Sequence, residues 1–200
     1  LSSLKFNPGG NLLLLGNKAG YYPNVGSYDI FNLETQTKDR TNKNTRVALF
    51  HPTLNAICYT DQASIIVESL DNNTPIFQFY ASKLTELTGL CISSDGKHFA
   101  VSGNDATSDG KHFATYIYST PPGSQIPTYI NKTFPIANDI GFSPDNKYLV
   151  GTNDKDEVLM FRTMFEVEGD VLEQKSIVAP PNLIANISFS EPSGNNYLDA

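Results

Sequence analysis

Apolar and polar residues alternate over short stretches of this chain, and turn residues separate the stretches. LSSLKFNPGGNLLLLG, RVALFHPTLNAICYT and TGLCISSDGKHFAVSG each contain an alternating strand, a turn with Pro or Asp, and a second apolar strand. Alternation with a period of two is typical of half-buried β-strands, and Gly, Pro, Asn and Asp favour tight turns. We therefore predict an all-β chain made of many short antiparallel strands.

The strand–turn–strand pattern returns at an interval of about 45 residues, which is typical of repeat architectures. Its anchor residues are 44, 42, 50 and 47 residues apart along the chain: Phe6, Phe50, Ile92, Phe142 and Phe189. A second hairpin follows in each of the first four units. Four strands per unit predict the blades of a β-propeller. We place these units at residues 1–44, 45–85, 86–134, 135–182 and, as an incomplete unit, 183–200.

Two segments resemble a known repeat family. Residues 142–152 (FSPDNKYLVGT) and 92–103 (ISSDGKHFAVSG) are similar to the strand–turn–strand core of WD40-like and YVTN-like propeller repeats. The Gly-His and Trp-Asp pairs of regular WD40 repeats are absent. Three aromatic-led pairs stand at the Trp-Asp position: Phe31-Asn32, Tyr118-Ser119 and Phe161-Arg162. The resemblance implies that these aromatic side chains keep their packing role.

The number of units predicts an open ring. The resemblance implies a ring of about six to eight blades, whereas this sequence contains about four and a half. We therefore expect the chain to be part of a larger ring or to close with another copy. Exposed blade faces and strand edges favour association, so we predict that this segment alone is not an autonomous monomer.

The heptapeptide SDGKHFA occurs twice, at residues 94–100 and 108–114. Alignment of the third unit with the fourth places the first copy at the turn into a second strand, and the second copy in an enlarged loop. Asp-Gly supplies the positive φ angles that a tight turn requires. The alignment predicts that His98 lies opposite about Thr115. It also predicts that His98 and His112 are solvent-facing residues and not metal ligands.

Composition narrows the classes of partner. The formal charge of −7 and the pI of about 4.8 disfavour binding to nucleic acid or anionic lipid, because both of these are negatively charged. No stretch approaches the roughly 20 apolar residues of a membrane span.

Cys58 and Cys91 lie in apolar, strand-like surroundings, which predicts buried thiols and neither a disulfide nor a zinc site. We expect an intracellular protein, cytoplasmic or nuclear, whose true N-terminus is missing because the chain does not begin with Met.

Catalytic motifs are absent from the sequence, which contains no G-x-S-x-G, H-E-x-x-H or Gly-rich phosphate loop. We therefore assign no catalytic residue, no metal site and no cofactor. The preferred interpretation is a non-enzymatic scaffold that binds other proteins within a multi-subunit complex.

Two long loops carry the candidate binding residues. Residues 17–27 and 103–111 connect second to third strands, and in propellers of this kind such loops open on one face. Loops on a rigid scaffold commonly carry binding residues, and exposed Tyr is a frequent interface anchor. The residues that we expect to contact a partner are Tyr21, Tyr22, Asn24, Asn104, Asp105 and Asp109.

The alternative interpretation is a small-molecule-binding or hydrolytic propeller, similar to lactonase-like or peptidase-associated YVTN members. In those proteins, polar side chains converge on the central channel. The candidates for such a site here are Arg46, His51, Asn138 and Asp139. Asp139 could equally be a structural residue that bonds a neighbouring blade.

Overall fold

The computed structural model describes residues 3–17, 26–43, 45–106, 112–120, 127–133, 139–153, 155 and 157–163. These residues form fifteen β-strands and, in this part of the chain, no helix, which confirms the all-β prediction. Blade 1 consists of β1 (Ser3–Phe6), β2 (Leu12–Asn17), β3 (Ser27–Asn32) and β4 (Thr37–Lys43). Blade 2 consists of β5 (Ala48–Phe50), β6 (Ala56–Asp61), β7 (Ser64–Ser69) and β8 (Pro75–Tyr80).

Blade 3 consists of β9 (Leu84–Ile92), β10 (His98–Asp105), β11 (Phe113–Ser119) and β12 (Thr128–Thr133). The described part of blade 4 consists of β13 (Ile140–Phe142), β14 (Tyr148–Thr152) and β15 (Val158–Arg162). Each blade is an antiparallel meander in which strands adjacent in sequence are paired. Such meanders form because each short connection returns the chain beside the strand that it has just left.

The blades pack face to face in chain order through three hydrophobic clusters. The first joins blade 1 to blade 2, the second joins blade 2 to blade 3, and the third joins blade 3 to blade 4. β1 lies beside β5 and β9 lies beside β13, so the first strands form the inner edges of the blades. Alternate residues of each strand therefore point to the preceding and the following blade.

The anchor positions have equivalent registers in all four blades. Each anchor pairs with the residue seven positions later in the next strand, as Phe6 does with Leu13 and Phe50 with Ile57. Phe50 is 7% exposed and Ile57 is fully buried, because blade 1 covers them. Phe6 remains 58% exposed, since no blade within the described residues packs on that side of blade 1. Phe189 lies outside the described residues.

Blades 3 and 4 use the same hydrogen-bonded turn between their first and second strands. In blade 3 the Ser93 hydroxyl donates to the Asp95 carboxylate over 2.5 Å, and in blade 4 Ser143 donates to Asp145 over 2.6 Å. Gly96 supplies the positive φ angle of 75° in the first of these turns. The first copy of SDGKHFA is thus a turn into a strand, as predicted.

The prediction for His98 was wrong. This residue is only 6% exposed, and it lies opposite Ser119 and not Thr115. The register differs because β10 continues to Asp105, which moves the centre of the hairpin toward the C-terminus. His112 is exposed, as predicted. Among the described residues no three potential ligand side chains are grouped so that they could hold a metal ion.

Both cysteines pack as small apolar residues, as predicted. Cys58 and Cys91 are buried and are not joined by a disulfide. Burial raises the pKa of the Cys91 thiol to about 12, so this thiol stays protonated and unreactive. The described residues contain no helix with the length and apolar character needed to cross a membrane.

Candidate functional site

The upper face of the stack is the side that carries the turns between second and third strands and the connections from blade to blade. The lower face carries the turns between first and second strands. Arg46 precedes β5, Glu86 lies near the start of β9, and Asn104 lies near the end of β10. Strand direction therefore brings all three residues to the upper face.

These three side chains form one network, which we call the upper network. The Arg46 guanidinium donates to Glu86 Oε1 over 2.7 Å, and the Asn104 amide donates to Glu86 Oε2 over 2.8 Å. The ion pair joins blade 2 to blade 3. The Arg46 and Glu86 side chains are 29% and 30% exposed, so another molecule can reach both of them.

The position of Glu86 depends on an irregularity between β9 and β10. The register shifts between Ser102 and Gly103, and β9 approaches Gly103 closely. A Cβ atom added to Gly103 would lie 1.9 Å from the carbonyl oxygen of Glu86. Glycine is therefore required here, since only a residue without Cβ allows this approach.

Asp105 is turned inward beside the upper network. Its carboxylate accepts a hydrogen bond from the Tyr116 hydroxyl over 3.2 Å, and its N–H donates to the His112 carbonyl over 2.7 Å. Asp105 is 7% exposed. The connection between β10 and β11 begins after Asp105, and thus later than the predicted start at residue 103. Four of the predicted contact residues lie outside the described residues: Tyr21, Tyr22, Asn24 and Asp109.

Three of the four candidates for a central-channel site are among the described residues: Arg46, His51 and Asp139. Arg46 and His51 lie at opposite ends of β5, on the upper and the lower face. Asp139 is exposed on the upper face, where its backbone carbonyl accepts a hydrogen bond from Thr152 over 3.2 Å. Asn138 lies outside the described residues. The prediction that His51 contributes to this site was wrong.

His51 instead holds the lower turn of blade 2. Its Nδ1 accepts hydrogen bonds from the backbone N–H groups of Thr53 (3.3 Å) and Leu54 (3.1 Å). Burial lowers the pKa of His51 to about 4, and a hydrogen bond with Gly96 opposes this shift. The imidazole is therefore neutral near pH 7. Because it packs against Gly96, it also joins the lower turns of blades 2 and 3.

A second ion pair lies between blades 1 and 2 and was not predicted. Arg40 donates to Glu68 Oε1 over 2.6 Å, and the Tyr59 hydroxyl donates to Glu68 Oε2 over 2.9 Å. The Arg40 and Glu68 side chains are only 12% and 14% exposed. We call this group the lateral network. The sequence signal for this network was Glu68 itself. It is a charged residue at the position that an aromatic residue, Phe31, occupies in blade 1.

Comparison with known proteins supports the fold. The chain is similar to a chain of the mitotic checkpoint complex, with a TM-score of 0.59, 14% identity, and coverage of 80% of this chain and 49% of that one. It is also similar to a candidate 6-phosphogluconolactonase from Bacteroides fragilis, with a TM-score of 0.61, 13% identity and coverage of 87% and 53%. A candidate 6-phosphogluconolactonase from Bacteroides uniformis gives a TM-score of 0.61, 14% identity and coverage of 86% and 52%.

No protein-family model matches the chain, and no curated protein matches its sequence. The chain spans about half the length of the solved chains described above. At these identities the likeness shows the fold alone: the chain is an all-β, partial β-propeller.

Proposed function

We propose that this partial propeller is a non-enzymatic scaffold that binds another protein through its upper face. The observation that carries the proposal is the upper network, whose Arg46–Glu86 ion pair spans two blades and is partly exposed. Rigid strands position Glu86 and Asn104, so their polar groups are already oriented before a partner arrives. Preorganisation of this kind reduces the entropy that is lost on binding.

The charge of the chain suggests the chemistry of the partner. With a formal charge of −7, the protein attracts basic segments and repels acidic ones. Glu86 is the carboxylate that a partner Arg or Lys would approach, in competition with Arg46. We therefore expect the contacting segment of the partner to be basic. A multi-subunit complex in the cytoplasm or nucleus is the setting that we propose.

The test is affinity purification of the protein from its native cells, followed by titration of the partner that is recovered. Glu86→Ala removes the carboxylate, and Arg46→Ala removes its counter-ion. Central interface residues typically contribute about 2 kcal/mol or more, so Glu86→Ala should weaken binding by about 30-fold. Glu34→Ala is the matched control, since Glu34 is an exposed carboxylate on the lower face. Equal affinity of the two variants would contradict the proposal.

A second candidate function is binding or hydrolysis of a small molecule, because two similar structures are candidate lactonases. Arg46 and Asp139 are the described residues at the upper face that could contact an anionic ligand or activate water. The test is thermal stability and turnover in the presence of sugar lactones. A ligand-dependent rise in Tm that Arg46→Ala abolishes would favour this function over the scaffold.

A further inference from the structure

The face of blade 1 that points away from blade 2 carries an exposed apolar surface. Leu4 and Phe6 of β1 are 52% and 58% exposed, and Leu33, which follows β3, is 40% exposed. No other blade within the described residues packs on this face. A contiguous group of exposed apolar side chains marks an interaction surface. We call this surface the end face, and its apolar residues are Leu4, Phe6, Leu13, Leu15, Phe31 and Leu33.

The end face contains an apolar recess beside the exposed Phe6 ring. The recess has a volume of about 280 Å³, and its lining includes Leu13, Leu15, Phe31 and Leu33. Strand pairing gives Leu13 two neighbours on this face, Phe6 on β1 and Phe31 on β3. A cavity of about 150 Å³ with a similar apolar lining holds a benzene ring. The recess is therefore large enough to accept the ring of a phenylalanine.

The same face is an established interface in the other blades. Phe50 and Ile57 of blade 2 occupy the positions of Phe6 and Leu13. Blade 1 covers Phe50 and Ile57, which are 7% and 0% exposed. In blade 4, Leu149 has the position of Leu13 and is fully buried against blade 3. The end face therefore has the composition and the register of a surface that packs on another β-sheet.

Charges on the end face allow two copies of it to meet. Asp29 lies opposite Leu15 and Lys38 lies opposite Phe31, so both charged residues share this face. Lys38 Nζ is 2.8 Å from Asp29 Oδ1, and the two charges neutralise each other. Two chains with a formal charge of −7 repel each other, but salt screens this repulsion beyond about 10 Å. At the contact itself, the end face adds no net charge.

We infer that the end face binds the end face of a second copy of this chain in a symmetric pair. In a two-fold symmetric interface one surface serves both partners, so it has to carry both parts of each contact. The end face meets this condition, because the exposed Phe6 ring lies beside a recess that accepts such a ring. Phe6 of each copy enters the recess of the other. The upper network lies on blades 2 and 3, so this inference does not rest on the proposed function.

Sedimentation equilibrium of the full chain over a range of concentrations tests the pair. The expected result is a reversible equilibrium between one chain of 21.9 kDa and a species of twice that mass. The mass of one chain at every concentration overturns the inference. Masses that keep growing beyond two chains also overturn it, because head-to-tail contacts, and not symmetric ones, produce open polymers.

Substitutions on the end face identify the surface that associates. Phe6→Glu places a charge at the centre of the contact and should weaken association by about 30-fold or more. Tyr80→Glu is the matched control, since Tyr80 is a 63% exposed aromatic residue on β8 of blade 2. Leu33→Glu, outside the strands, should weaken association as well and does not alter β1. Association that is equally strong in Phe6→Glu, Leu33→Glu and Tyr80→Glu overturns the inference.

NMR on a mixed sample distinguishes a symmetric pair from a head-to-tail pair. One half of the chains carries isotope-labelled leucine and methionine methyl groups, and the other half is unlabelled, so filtered spectra show contacts between copies alone. We expect cross-peaks from the Phe6 ring to the methyl groups of Leu15 and Leu33. Cross-peaks to Met160 instead would overturn the inference, because Met160 is exposed on the face of blade 4 that points away from blade 3.

Discussion

Among the described residues, two arginine–glutamate pairs join neighbouring blades, and they differ in exposure. The lateral network encloses Arg40 and Glu68, whose side chains are 12% and 14% exposed, and adds a hydrogen bond from Tyr59. The upper network leaves Arg46 and Glu86 29% and 30% exposed. The two contacts have nearly the same length, 2.6 and 2.7 Å.

The difference between the networks is therefore one of solvation and not of geometry. When an ion pair is buried, removal of either partner strongly destabilises the fold, because it leaves a buried charge without its counter-ion. A partly exposed pair contributes little to stability, because water replaces the lost partner. The lateral network therefore has a structural role. In the upper network, Glu86 can leave Arg46 and pair with a cation of another molecule at a small cost in free energy.

The largest expected effect comes from Glu68→Ala, which leaves Arg40 buried without its counter-ion. We expect the free energy of unfolding to fall by about 4 kcal/mol, measured by urea denaturation. The double variant Arg40→Leu/Glu68→Leu is the control, since replacing the whole pair by apolar residues should recover most of the loss. A single variant that is as stable as the unmodified protein would show that the pair is solvated.

Gly103→Ala should disturb the upper network through the backbone. The new Cβ would lie 1.9 Å from the Glu86 carbonyl oxygen, so β9 has to move. Overpacking of this kind costs about 3 kcal/mol. Gly141→Ala is the matched control, because no atom lies within 4 Å of its added Cβ. Similar melting temperatures for the two variants would mean that β9 moves away easily.

His51 makes the lower end of the junction between blades 2 and 3 sensitive to pH. Its pKa falls from 6.5 to about 4 on folding, so the unfolded chain binds the proton more tightly. The stability that neutral His51 provides is complete above about pH 7 and is lost as pH falls toward 4. By about pH 5 the loss should be about 2 kcal/mol.

The measurement is the free energy of unfolding between about pH 7.5 and pH 5, compared with that of His51→Gln. The variant cannot titrate at this position, so the difference between the two curves isolates the histidine. Parallel curves would show that His51 is already solvated in the folded protein.

The smallest expected effect is that of Glu86→Ala on stability. Breaking a partly exposed ion pair should cost about 1 kcal/mol or less. A double-mutant cycle with Arg46→Ala measures the coupling between the two side chains, and the same cycle on Arg40 and Glu68 should give a coupling several times larger. Equal couplings would remove the distinction between the two networks.

The fold could be predicted from the sequence because its signals are local. Alternation within strands and turn residues such as Gly96 depend on neighbours along the chain, and the repeat multiplies them. The burial of Cys58 and Cys91 followed from the same patterns. These features do not depend on how one blade meets the next.

Features that depend on non-local register could not be predicted. His98 was expected at the surface, but it is buried. Its neighbour across the hairpin depends on the length of β10, which the sequence does not show. Glu86 escaped notice because its bonds to Arg46 and Asn104 cross a blade junction and a register shift. His51 was a channel candidate, because the sequence does not show that the lower turns of blades 2 and 3 enclose its side chain.

The packing of each blade on its sequence neighbours, with Phe6 exposed at one end, has a consequence for unfolding. A stack held by nearest-neighbour contacts behaves as a one-dimensional array, in which the terminal unit has one interface and an internal unit has two. In the 200-residue chain taken by itself, blade 1 has no described neighbour on the side of Phe6, so it should open at a lower free energy than blades 2 and 3. Amide exchange should then be faster at Leu13 than at its fully buried equivalents Ile57 and Phe99.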